Sequence, residues 1–473
     1  MKVKAQRRPR PVTWAWQLGL VGMLMPLALG TAAQTPGQAP MQAVAPFPET
    51  MPAFPAPSDG RPSQLPPPED VMPLAEGFDV LEFEAMAEAL VENQRVPGLA
   101  MAIVHNGQVL SARGYGITDV KAAEPVDSHT VFRLASLSKS FAGTIAGVLV
   151  SEGAMRWDSR VVDYMPGLRM SNPEAAGMIT VADVLSDRVG LGRHTYDRAI
   201  ERGAEYNTLV QQLAEAPMTC QPGDCYGYQN VAFSLVGDVV FATSGQFFSE
   251  AVSRRLFKPL GMHDASYGLD GIQNSPRWAK PHVRAGRGWT SLIPKPTYYR
   301  VAPAAGVNAS ISDMAQWLIA NMGYRPDVLP APLLSTLHSP IVGTPGETRG
   351  RRGSWRNQRL NAAGYGLGWR SYDYSGHRMV FHGGAVQGYR GAMAMLPERD
   401  LGVVILWNSG SSLPSGLMPT ILDRAIGLSG ESWLAIDYDY DADDIRYGEG
   451  SGDSDPAHHQ AGTSASTSHA MPH

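Results

Sequence analysis

The chain has 473 residues, a net charge of −5 and 44% hydrophobic residues. So mild a charge excludes the basic footprint of nucleic-acid binding, and the length is ample for a core of one large domain or two packed subdomains. Only two cysteines are present, which excludes a small disulfide scaffold and a cysteine-rich metal fold.

Lys2, Lys4, Arg7, Arg8 and Arg10 precede an apolar run over residues 14–29, followed by Gly30-Thr31-Ala32-Ala33. A basic start, an apolar centre and small residues read as a secretory signal peptide over residues 1–33, cut near Ala32 or Ala33. That places the protein in the periplasm or outside the cell. Membrane association would require the segment to stay uncleaved. Residues 34–75 are rich in Pro, Ala and Gln and read as an extended linker. Residues 431–473 run from an acidic stretch into Ser, Gly, His and Ala, a low-complexity tail. The folded domain is expected between them, over residues 76–430.

Within it, residues 78–94 read as an amphipathic helix. Residues 99–104 and 109–112 read as strands joined at His105-Asn106-Gly107-Gln108, an Asn-Gly hairpin signal. A helix starts near Ser136, with Phe141, Ile145, Val148 and Leu149 marking one apolar face. Helices and loops continue to residue 318. Strands return at residues 365–372, 378–381, 391–396 and 403–407, and a helix over 415–426 closes the domain. Strands at both ends with helices between predict an α+β fold. One antiparallel sheet, flanked by helices, is assembled from both ends, with a mostly helical inserted subdomain.

Three stretches carry candidate chemistry. Ser136 and Lys139 stand on one side of the first turn of their helix. A serine there has an amine close by and unpaired backbone N–H groups for an oxyanion. The same spacing also suits a capped helix start with a solvated lysine. Tyr228-Gln229-Asn230 offers an acid/base and a polar clamp, or equally a helix cap with a tyrosine behind it. His382-Gly383-Gly384-Ala385 ends a strand where glycines allow close approach to the backbone, or forms an ordinary turn.

Their order is more specific than any one of them. Ser-x-x-Lys, then Tyr-x-Asn, then a basic residue with Gly two places on resembles the pattern of the serine penicillin-recognising enzymes. Further segments are similar to recurring ones of that family: Val96-Pro97-Gly98-Leu99, Phe132-Arg133-Leu134-Ala135, Pro259-Leu260-Gly261-Met262, Pro303-Ala304-Ala305-Gly306-Val307 and Tyr365-Gly366-Leu367-Gly368-Trp369. The family includes class C β-lactamases, D-alanyl-D-alanine carboxypeptidases, D-aminopeptidases and related esterases, and the resemblance spans about residues 76–430. It implies a serine β-lactamase/transpeptidase-like fold and an acyl-enzyme on Ser136. Lys139 and Tyr228 would share the proton work, and Asn230 would hold the acyl side of the substrate. The backbone of Ser136 and Ala385 would form the oxyanion site beside His382, Gly383 and Gly384. The substrate would be a small molecule or peptide: an ester, an amide or a D-amino-acid peptide. No metal or organic cofactor is implied. The alternative is a β-lactamase, or a penicillin-binding sensor that acylates without efficient turnover.

The sequence departs from the family twice. His382 stands where class C β-lactamases have Lys, which predicts weaker hold on an anionic β-lactam and favours esters or amides. Val184-Leu185-Ser186-Asp187-Arg188-Val189-Gly190-Leu191 replaces a common Leu-Leu-Ser-His-Thr-Ser-Gly-Leu and reads as a structural loop. Cys220 and Cys225 flank Pro222-Gly223, and export would oxidise them to a disulfide; otherwise they are two thiols. Arg349, Arg351, Arg352, Arg356 and Arg359 read as a solvated basic loop or as an attractor for anions.

Overall fold

The first two strands form where the Asn-Gly signal stands: β1 (Gly98–His105) and β2 (Gln108–Gly116) turn at Asn106-Gly107. The computed structural model describes residues 71–350, 352–429 and 433–435. The signal-peptide reading, and nearly all of the linker and tail readings, fall outside the described residues. Eleven further described strands follow in chain order: β3 (Phe132–Arg133), β4 (Ser266–Tyr267), β5 (His282–Ala285), β6 (Gly288–Ser291), β7 (Val307–Ala309), β8 (Val342–Gly343), β9 (Leu360–Tyr365), β10 (Arg370–Tyr374), β11 (His377–Val386), β12 (Tyr389–Leu396) and β13 (Leu401–Trp407).

Eight of them make one antiparallel sheet in the order β2-β1-β13-β12-β11-β10-β9-β8. The N-terminal hairpin therefore closes onto the last strand, with Leu99 opposite Trp407 and His105 opposite Leu401. Chain between β2 and β8 leaves the sheet and supplies most of the helices, as the α+β reading expects. Two small sheets, β3-β7-β4 and β5-β6, also lie in that excursion; their strands are too short to show a period in sequence.

β1, β12 and β13 read as nearly continuous apolar runs because both faces of the sheet are covered. On one face, helix α1 (Val80–Glu92) and the helix Leu417–Ala425 bury Phe83, Leu90, Met101, Ile103, Phe381, Val403, Ile405, Trp407 and Ile421 in one core. The helix Ile311–Ile319 packs against β1 and β13 as well.

Helix α2 (Ser138–Ser151) differs from the expected one-faced helix. Residues 138–147 are all buried. Ser140, Ala142, Gly143, Ala146 and Gly147 are small enough for neighbours to press on every side, and a helix covered all round needs no polar face. The expected strand over residues 365–372 is two strands, β9 and β10, with Gly366-Leu367-Gly368-Trp369 turning between them. Gly368 has φ +81°, and a side chain there would collide with the Lys139 carbonyl oxygen. The turn thus exists because α2 lies directly against it.

Packing extends slightly past residues 76–430. Met72 N–H donates to the Glu398 carbonyl at 2.7 Å and Ala75 N–H to that of Ala425 at 3.0 Å. Trp433 is buried and donates its Nε1–H to Asp423 at 2.9 Å. The arginine stretch is only partly a solvated loop. Arg349 and Arg352 are exposed, but Arg359 donates to buried Asp423 at 3.0 Å and Arg356 to Glu347 at 3.3 Å. Arg370 pairs with the same Glu347, so one carboxylate ties two guanidiniums. Among the described residues no helix is long and apolar enough to cross a membrane.

Candidate active site

Every residue over 130–147 is buried except Ser136, which is partly exposed. It sits in a 3-10 turn (Ala135–Leu137) that leads into α2, two residues before the first residue of that helix. Ala135 before it has φ +49°, a conformation a non-glycine residue adopts only when its surroundings impose it. No side chain caps α2; the 3-10 turn runs straight into it, and the Ser138 N–H already donates to the Ala135 carbonyl. The two neighbouring serines point to the protein interior. Ser138 Oγ accepts the Val307 N–H at 3.0 Å, and Ser140 donates to the Leu137 carbonyl at 2.7 Å.

Lys139, one turn on, is fully buried. Its Nζ donates to Asn230 Oδ1 at 2.6 Å and lies 4.4 Å from the centre of the Tyr228 ring. The cation thus faces the phenol's π-surface. Asn230 was expected to hold substrate; its amide oxygen is on Lys139 and its Nδ2 donates to Asp197 at 2.8 Å. Its side chain does not cap the next helix, Leu235–Ser244, which starts from Ser234. Tyr228 is buried, with the Arg370 guanidinium 5.6 Å and the His194 ring 5.4 Å from its ring centre.

The departed loop organises this second station. Asp187 accepts the Gly227 N–H on its carbonyl at 2.9 Å and the Gln229 N–H on Oδ1 at 3.1 Å, so it holds the backbone on both sides of Tyr228. Cys220 and Cys225 are disulfide-bonded, and the closed loop docks on the same segment. Gly223 N–H donates to the Arg188 carbonyl at 2.8 Å, and Arg188 Nη1 to that of Gly223 at 3.1 Å. Replacing both cysteines by Ala is expected to cost about 2 kcal/mol of unfolding free energy, the chain-entropy value for so short a loop. Urea unfolding of the double variant measures it; an unchanged midpoint would mean the loop holds its shape unaided.

The third station completes the wall. His382 is fully buried; its Nδ1–H donates to the Gly383 carbonyl at 2.7 Å, and the Tyr365 hydroxyl donates to Nε2 at 3.2 Å. Burial pushes the Tyr365 phenol well above its usual range, and Asp187 adds to the effect, so it keeps its proton as donor. Both contacts suit a neutral imidazole. A Cβ on Gly384 would lie 2.5 Å from the Leu134 carbonyl oxygen and 3.0 Å from the Ser136 nitrogen, so β11 runs directly against the Ser136 turn. Ala385 follows, opposite Arg390 on β12.

All three stations therefore meet around Ser136 and Lys139. Sequence reading missed Asp197, His194 and Arg370, which only their proximity marks, and gave Tyr365 no role although it opens one of the recurring segments. A cavity of about 580 Å³ lies elsewhere, lined by Tyr164, Leu168, Val210 and Phe241, and includes none of these residues.

A family model described as Beta-lactamase matches residues 83–427. The chain belongs to the beta-lactamase family. Among curated relatives, Penicillin-binding protein 4 of Amycolatopsis lactamdurans is 27% identical over 344 residues, covering 70% of this chain and 86% of that protein. Unguisins hydrolase ungD of Aspergillus violaceofuscus is 23% identical over 389 residues, 77% of this chain and 67% of its own. Among solved structures, the octameric penicillin-binding protein homologue from Pyrococcus abyssi aligns with TM-score 0.65 at 23% identity, covering 74% of this chain and 78% of that one. SurE aligns with TM-score 0.60 at 22% identity, covering 76% and 78%. The two structures share the beta-lactamase-family fold with this chain, and the resemblance drawn from the motifs holds at that level.

Proposed function

We propose that this beta-lactamase-family chain is an exported serine hydrolase that works through an acyl-enzyme on Ser136. One observation carries the reading: Ser136 is the single partly exposed residue in a buried run, one turn from a buried lysine held between Asn230 and Tyr228. Ser136 Oγ attacks the substrate carbonyl carbon, and its proton passes to the Lys139–Tyr228 pair. The oxyanion sits at the N–H groups of Ser136 and Ala385. Its collapse breaks the bond to the leaving group, which takes that proton. Water then attacks the acyl carbon, gives a proton to the same pair, and Ser136 recovers it. Lys139 and Tyr228 are coupled, so the proton belongs to the pair. The Cys220–Cys225 bond supports the exported location.

Substrate class follows from His382. Both ring nitrogens already bond within the protein, so the side chain is a poor partner for the carboxylate of a β-lactam, where a Lys would be a permanent charge. Neutral esters and amides fit better. On purified protein at pH 7.5, kcat/KM for p-nitrophenyl butyrate is expected to exceed that for nitrocefin. A nitrocefin value ten times the ester value would reverse the assignment. His382→Lys is expected to shift the ratio towards nitrocefin; an unchanged ratio would refute the charge argument. The name of the Amycolatopsis relative favours a second reading, a penicillin-binding protein that acylates and stalls. A stable penicilloyl adduct on Ser136 with no ester turnover is its signature.

A further inference from the structure

Asp197 and His194 belong to none of the three motifs, yet both are buried behind Lys139. They come from one tight loop. His194 has φ +58° and Tyr196 φ +67°; Thr195 Oγ1 donates to the Gly192 carbonyl at 2.7 Å. The helix Asp197–Glu201 starts directly after. Nine described non-glycine residues have positive φ, and four of them, Ala135, Asp187, His194 and Tyr196, surround this site. Such conformations persist where the surrounding structure forces them, and they gather at functional sites.

The loop delivers a carboxylate to the back of the site. Asp197 Oδ2 accepts from Asn230 Nδ2 at 2.8 Å and from His194 Nδ1 at 2.9 Å. Asp197 Oδ1 accepts no hydrogen bond among the described residues. Asn230 Oδ1 in turn accepts from Lys139 at 2.6 Å. An amide between an ammonium and a carboxylate has one satisfying orientation, oxygen to the cation and NH₂ to the anion. The chain His194–Asp197–Asn230–Lys139 is thus ordered end to end, and all four members are buried.

Other charged or titratable groups face it. Tyr228 covers Lys139, and Arg370 on β10 lies beyond the Tyr228 ring, paired with Glu347. His382 on β11 bonds Tyr365 on β9, with Tyr226 5.3 Å from the Tyr365 ring. Asp187 lies beneath the Tyr228 backbone, and Arg198 and Glu201 share the helix of Asp197. Among them, Asp197 is the carboxylate linked to Lys139 through hydrogen bonds.

We propose that His194 and Asp197 are positioning residues which, through Asn230, hold Lys139 as an ammonium ion over the face of Tyr228. Burial alone would favour a neutral lysine; the relayed carboxylate reverses that preference. Lys139 then acts as a fixed cation that stabilises Tyr228 as a phenolate, and the proton of Ser136 goes to that phenolate oxygen, making it a phenol. This rests on the serine-hydrolase reading above.

The test is the pH profile of kcat/KM for p-nitrophenyl butyrate with full-length wild type and Asp197→Asn. Loss of the relayed charge makes Lys139 easier to deprotonate, so the alkaline limb is expected to move down by about one pH unit. At pH 7.5, kcat is expected to fall about 10- to 100-fold with KM nearly unchanged. Asp197→Glu is expected to return the limb towards its wild-type position. An alkaline limb that stays put while kcat drops uniformly would overturn the proposal, since a merely structural role does just that. An acid limb moving down instead would also overturn it, because Lys139 would then work as a neutral base. Asn230→Ala cuts the same link from the other side and is read in the same way should Asp197→Asn not fold. Fluorophosphonate labelling of wild type separates the two layers. An unlabelled Ser136 defeats the hydrolase reading, whereas a labelled Ser136 with an unmoved limb defeats the relay alone.

Discussion

Ser136→Ala is expected to lower kcat for p-nitrophenyl butyrate by about 10⁵–10⁶, leaving only what binding and the oxyanion donors provide. Labelling by a fluorophosphonate or penicillin probe is expected to vanish with it. The controls are the two neighbouring serines. Ser138 accepts from the Val307 N–H and Ser140 donates to the Leu137 carbonyl, so each alanine variant loses one internal hydrogen bond, about 1 kcal/mol of stability. Neither hydroxyl faces the half-exposed position that Ser136 occupies. Both variants are therefore expected to label at the wild-type stoichiometry. Peptide mapping of the adduct decides: a label on any serine but Ser136 would refute the assignment, and so would full activity in Ser136→Ala.

The parts of the fold that sequence revealed are those with a local signal. Asn106-Gly107 marks a turn by its own backbone preference, and the apolar runs of β12 and β13 mark strands buried on both faces. What was not legible depends on contacts distant in sequence. The break between β9 and β10 is set by α2 pressing on Gly368, some 230 residues earlier in the chain. The all-round burial of α2 is hidden because small residues lack a hydrophobic signature. The closure of β1 on β13 was expected only as a sheet built from both ends; its register needed the structure.

The site shows the same division. Ser136, Lys139, Tyr228, Asn230 and His382 stand in motifs whose order is visible in the sequence, and the structure brings those motifs together. The groups behind them have no motif. Arg370 reaches Tyr228 because β10 pairs with β9 and β11 on either side. Its partner Glu347 lies two residues before the arginine-rich stretch, whose composition suggested a solvated loop or an attractor for anions. A buried Arg–Glu–Arg arrangement looks the same as surface charge in sequence, since only the fold determines which guanidinium is covered. Asp187 is the converse case. It was visible as a departure from a familiar loop, but its contact with the Gln229 N–H is a tertiary fact.

Gly384→Ala is expected to lower kcat by about 10²–10³ while leaving a cooperative thermal unfolding transition. The added methyl would lie 2.5 Å from the Leu134 carbonyl oxygen, 2.7 Å from Leu137 Cδ1 and 3.0 Å from the Ser136 nitrogen. The leucine tip can swing away; the other two are backbone atoms of the turn that presents Ser136. That turn has little room to yield, since Ala135 already holds φ +49°. β11 is equally constrained, paired residue by residue with β12 from Val380 opposite Met395 to Val386 opposite Tyr389. Relief therefore separates the end of β11 from the Ser136 turn, which in the proposed mechanism draws the Ala385 N–H away from the Ser136 N–H. Two donors aimed at one oxyanion act only when both are in place, and losing one typically costs about 10²–10³ in rate. KM is expected to change little, because the effect falls on the transition state. Gly410→Ala is the control, as a methyl there meets nothing within 4 Å. Wild-type turnover by Gly384→Ala would show that β11 and the turn can part without consequence, and the close approach would then have no catalytic role.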